Sequence, residues 1–87
     1  MKIICKFTNG ERASILYTNW EGRTANRFIQ LNHIWFGITG FHNEPQFLLN
    51  AIDLDKNVIR DFAMKDIGDI NIHESSFKLE DYFVRNK

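Results

Sequence analysis

Ala25-Asn26-Arg27-Phe28-Ile29-Gln30-Leu31-Asn32-His33-Ile34-Trp35-Phe36 is the stretch on which the fold of this chain turns. It reads as one long strand, and successive side chains of a strand point to opposite faces. Phe28, Ile34 and Phe36 share one parity, however, while Ile29, Leu31 and Trp35 share the other. A straight strand cannot turn both sets towards one core. A bulge or break near Asn32 reconciles them, and a strand bent in this way is what a small barrel requires.

Shorter elements flank it. Lys2 to Phe7 alternates, with Ile3, Cys5 and Phe7 on one face, and Arg12 to Thr18 alternates with Ala13, Ile15 and Tyr17 together. Between these runs lies Asn9-Gly10, a strong hairpin signal. A two-residue loop would put the two apolar faces on opposite sides. A three-residue loop with Gly10 left-handed pairs Cys5 with Ala13 and Ile3 with Ile15, and is preferred because the buried face sets register. Asn19-Trp20-Glu21-Gly22 is the next turn, and Gly37 to Gln46, with the only proline, is a long loop. Phe47 to Leu54 then reads as a central strand, Asp55-Lys56-Asn57 as a turn and Val58 to Ala63 as a strand. Met64-Lys65-Asp66 reads as a tight helical turn, and Ile70 and Ile72 mark a last short strand. Ser75 or Ser76 is placed to cap a short C-terminal helix through Leu79, Tyr82 and Phe83. The expected fold is mainly β: a small barrel of five or six antiparallel strands with that short helix, in one domain over residues 1–87.

Composition agrees. Eight phenylalanines and two tryptophans favour strands and supply large buried areas. Eleven basic and eleven acidic residues cancel, which does not suit sequence-independent binding to duplex DNA. The apolar runs are far shorter than a membrane span, no signal peptide opens the chain, and Cys5 has no partner for a disulfide; a cytoplasmic setting is the expectation.

Arg27 and Arg60 each sit in a strongly apolar run. A guanidinium keeps its proton, so one held against apolar surface needs an anion or a set of acceptors. Phosphate or carboxylate suits its planar fork. An internal salt bridge to Asp53, Asp61 or Asp66 is the competing account.

Tyr17, Arg27, Phe47-Leu48-Leu49, Arg60-Asp61-Phe62 and Ile67, in that order and spacing, resemble the WYL domain family. The stretches Ile34 to Gly37, His42 to Leu49 and Arg60 to Ile67 look like its short free-standing members in bacteria and phages. The resemblance implies an SH3-like, Sm-like barrel acting as a ligand-sensing or regulatory module. It also implies a basic pocket for a nucleotide or nucleic acid, carried over here onto Tyr17, Arg27, Phe47 and Arg60. Tyr17 would donate a hydroxyl and stack, Phe47 would stack, and the arginines would meet phosphate. The chain departs from the family in four places. Phe47 replaces the tryptophan, Leu48 the tyrosine, Leu31 a proline after the first arginine, and Asp66 an arginine before the closing isoleucine. The winged helix usual in the family has no room in 87 residues.

Each candidate has a plainer account. Phe47 is a core residue by pattern, and Tyr17 equally a hydrogen-bonded core tyrosine. Trp20 and Phe41 lie in loops, where they either cap a barrel end or form an interface. Asp53-Leu54-Asp55 looks like a cation-binding pair, but turn chemistry explains it. His33, His42, His73 and Cys5 stand singly, so neither a metal nor a cofactor is expected, and no nucleophile–base set points to an enzyme. The expected function is a non-enzymatic regulatory module for a nucleotide or single-stranded nucleic acid. The rival is a protein-binding module, such as a phage or mobile-element inhibitor of a host protein acting through Trp20 and Phe41. A structural oligomer subunit is a third possibility, with self-association expected through the exposed edge of the first hairpin.

Overall fold

The computed structural model describes residues 2–73. Six antiparallel strands and one 3-10 turn follow in order: β1 (Lys2–Lys6), β2 (Arg12–Thr18), β3 (Thr24–Gly37), β4 (Gln46–Asp53), β5 (Val58–Ala63), the turn Met64–Asp66, and β6 (Ile67–His73). The expected C-terminal helix lies outside the described residues. The sheet runs β5-β4-β3-β2-β6, with β1 also on β3. Among the described residues β5 and β6 are the ends of this order and no ladder joins them, so the strands form an open antiparallel sheet. No helix among the described residues is long and apolar enough to cross a membrane.

The bend in β3 falls where alternation fails. Its register with β4 shifts between Leu31 and His33, which lets Ile29, Leu31 and Ile34 share the inner face. Trp35 passes to the outer face and packs there with Leu48 and Ala63. Asn32 itself spans the shift, and its side-chain amide donates to Asn50 Oδ1 at 3.0 Å.

The first hairpin does not form. Cys5 pairs with Ile34 and Ile3 with Trp35, so β1 lies on β3 rather than on β2. Ala13 and Ile15 instead pair with Ile29 and Arg27 on one side and with Ile72 and Ile70 on the other. Both edges of β2 are therefore occupied, and β1 takes the length of β3 that β2 leaves unpaired. Phe7 N–H donates to Asn32 O and Leu31 N–H to Glu11 O, so Phe7 to Glu11 loops out of one interrupted edge. Gly10 is left-handed as expected, φ 68°, but it serves that excursion and not a reversal. The self-association expected through that hairpin's edge has no such hairpin to use.

The sheet is tightly rolled. β2 and β5 are separated by β3 and β4, which in a flat sheet would hold them about 14 Å apart. Instead Ala63 N–H donates to Tyr17 Oη at 3.2 Å, and the Tyr17 and Phe62 rings meet edge to face with centroids 4.9 Å apart. Ala13, Ile15, Tyr17, Ile29, Leu31, Leu49, Ala51 and Phe62 fill the space enclosed. Each of the larger ones contributes about 1.5–3 kcal/mol by leaving water.

Candidate functional site

Rolling the sheet opens a cleft of about 830 Å³ beside the outer edge of β5. Ile59, Arg60, Asp61 and Phe62 form its floor, with Tyr17 at one end and Lys65 and Asp66 of the 3-10 turn alongside. Two loops supply the walls. In the turn after β2, Asn19 Oδ1 accepts the Glu21 and Arg23 N–H groups at 2.9 and 3.0 Å, and Gly22 takes φ 84°. That compact turn leaves Trp20 89% exposed at the cleft rim. In the loop after β3, Thr39 Oγ1 accepts the Phe41 and His42 N–H groups at 3.1 and 2.9 Å. Phe41 is thereby held out on the same cleft, 93% exposed.

Among the described residues the floor is also an unpaired strand edge. Backbone groups of a strand point alternately towards and away from its ladder partner. Ala63 N–H turns outward to Tyr17, so Asp61 and Ile59, two and four residues earlier, also turn N–H and C=O away from β4. Tyr17 occupies the first outward donor with its hydroxyl. Burial pushes the Tyr17 hydroxyl above its ordinary pKa of 10.0, against the opposing effects of the Ala63 N–H and of Arg60 and Arg27. The group is therefore neutral and free to donate into the cleft while it accepts from Ala63.

The four residues expected to form a pocket divide. Tyr17 and Arg60 line the cleft, whereas Arg27 and Phe47 do not. Phe47 is half exposed and packs edge to face on Phe36, centroids 4.9 Å apart. Arg27 lies on the inner face opposite Ile15, its side chain 18% exposed. Trp20 and Phe41, assigned on sequence to a separate interface, share the cleft with Tyr17 and Arg60.

Both arginines reach the same carboxylate. Arg27 Nη1 and Arg60 Nη1 lie 3.8 and 3.9 Å from Asp53 Oδ2, and Asp53 is fully buried. The ion-pair alternative with Asp53 is thus present for each, at separations beyond a hydrogen bond. Asp53 Oδ1 accepts the Asp55 and Lys56 N–H groups at 3.1 and 3.3 Å, which is the turn chemistry read from the sequence. Among the described residues Oδ2 receives no hydrogen bond, nor does the buried Arg27 Nε find a partner. Arg60 also stacks over Phe62, its guanidinium carbon 5.7 Å from the ring centroid.

Sequence reasoning missed Lys65, His42, Ile59 and Asp61 as cleft residues. A signal existed only for Asp61: a carboxylate on the parity opposite Arg60 and Phe62 in an apolar strand needs a donor, and a buried tryptophan needs an acceptor. Asp61 Oδ1 accepts from Trp35 Nε1 and Asn50 Nδ2, both at 2.9 Å. Among the described residues no group of three His, Cys, Asp or Glu side chains gathers at metal-binding distance. No protein-family model, curated protein or solved structure matches the chain.

Proposed function

We propose that this protein is a non-enzymatic, ligand-binding regulatory module whose cleft takes a nucleotide, free or at one position of a single strand. One observation carries the proposal: the exposed rings of Trp20 and Phe41, the buried Tyr17 and the basic Arg60 line one cleft although they come from three separate segments. A base stacks on any flat aromatic face, and such stacking contributes about 1–3 kcal/mol per base. Arg60 and Lys65 supply charge-assisted donors for phosphate. Arg60 and Lys65 are outnumbered by Glu44, Asp61 and Asp66 in the same lining. That balance disfavours a long polyanion tracking the surface and favours a ligand with one or two phosphates. The proposal includes the SH3-like, Sm-like barrel of the WYL domain family. The roll of the sheet, which carries Tyr17 onto β5, supports that architecture.

A second reading is favoured by the floor itself. Outward N–H and C=O groups at Ile59 and Asp61 suit an extended peptide adding to β5, with Trp20 and Phe41 gripping its side chains. Fluorescence titration separates the two, because Trp20 reports directly on stacking. Nucleoside monophosphates are expected to quench it, Trp20→Ala to remove the response, and Arg60→Ala to weaken binding about tenfold or more. Quenching by a host polypeptide but by no nucleotide would select the peptide reading instead.

A further inference from the structure

Two guanidinium groups converge on one carboxylate, and that leaves one positive charge in excess. The two are not equivalent. Arg27 is the more buried, its side chain 18% exposed, and it lies outside the cleft; Arg60 is 39% exposed and lines it. Neither is locked to Asp53 Oδ2 by a hydrogen bond, so both hold it through charge alone. An anion entering the cleft competes for Arg60 with a buried, fully desolvated carboxylate. A carboxylate left there without a counter-ion would be severely penalised.

From this we infer that Arg27 is a positioning residue for anion capture. By neutralising Asp53 from the inner face, it releases Arg60 to meet a phosphate in a cleft that Arg27 never touches. The inference rests on the nucleotide reading above and adds to it the device that frees the binding cation. Without Arg27, Arg60 becomes the sole partner of Asp53 and is held back from the ligand. Without the Asp53 charge, Arg60 needs no release.

The test is calorimetric titration of the whole chain with AMP and, as a control lacking phosphate, adenosine. Arg60→Ala is expected to abolish the preference for AMP over adenosine. Arg27→Gln is expected to weaken AMP about tenfold while leaving adenosine unchanged, since the lost attraction acts on charge at short range. Arg27→Lys should retain most of the AMP affinity. Asp53→Asn keeps an Oδ1 acceptor for the Asp55 and Lys56 N–H groups and should tighten AMP, alone and in combination with Arg27→Gln. A purely structural role for Arg27 would weaken both ligands alike, and that result overturns the inference. So does an unchanged AMP affinity in Arg27→Gln or in Asp53→Asn, even where Arg60→Ala upholds the nucleotide reading. An unaltered AMP preference in Arg60→Ala, or no AMP binding by the native chain, removes that reading and the inference with it.

Discussion

Asp53 and Asp61 stand on the same pair of strands, one on each face, and the chain satisfies them in opposite ways. Asp61 accepts from two neutral donors, Trp35 Nε1 and Asn50 Nδ2, and Asn50 is in turn tied to Asn32 at the bend of β3. Every link in that outer network is 2.9–3.0 Å long. Asp53 has two cations near its Oδ2 but no hydrogen bond to it. A complete polar network fixes one arrangement, whereas an incomplete one can exchange partners at low cost. The outer face is accordingly where the fold is pinned, and the inner end is where the balance of charge is the easier to change.

The comparison can be broken in order of expected effect. Asp53→Ala removes both the turn acceptor and the shared counter-ion, and should lower unfolding stability by about 3 kcal/mol in urea titration. A loss under about 1 kcal/mol would mean that Arg27 tolerates its position unpaired. Asp61→Ala should cost about 2 kcal/mol by stranding the Trp35 and Asn50 donors, while Asp61→Asn, which keeps an acceptor, should cost much less. Equal damage from the two changes would show that charge matters on the outer face too, and the contrast would fail.

Gly37→Ala sharpens the same point. A Cβ there would run into the six-membered ring of Trp35, which must shift away from Asp61. The expected cost is about 1–2 kcal/mol, shrinking in an Asp61→Ala background where the hydrogen bond is already lost. Tyr17→Phe should be mildest, about 1 kcal/mol at neutral pH, from leaving Ala63 N–H without its acceptor. It also has a signature in pH. The folded pKa of Tyr17 is raised, so its contribution is complete below about pH 10 and is lost as pH climbs from the unfolded to the folded value. Tyr17→Phe should flatten that alkaline limb of the stability curve. A limb of unchanged steepness would assign the loss to other groups.

The sequence made the pinned parts legible and the cleft hard to see, for identifiable reasons. The bend at Asn32 was readable because two apolar parities in one strand admit few solutions. β5 and the 3-10 turn were readable from local pattern, and both lie where they were expected. β1 lies where its alternation puts it, but its partner is not legible, because Asn9-Gly10 reports only that the chain deviates there, while pairing is decided by which edge remains free on a 14-residue β3. Asp53 stood among three candidate partners for the arginines, and the register of β3, β4 and β5 selects it: Asp53 lies opposite Ile29 and Val58, two residues from each arginine and on the same face. Trp20, Phe41 and Arg60 could not be joined on paper, since their proximity depends on two loops and a free edge with no common periodicity.

Amide chemical-shift mapping during titration with AMP tests the central claim most directly. The account predicts that perturbations gather at Trp20 (its indole N–H included), Phe41 and Ile59 to Lys65, and spare Phe36 and Phe47. Shifts centred on Phe36 and Phe47, or none at saturating AMP, would contradict it.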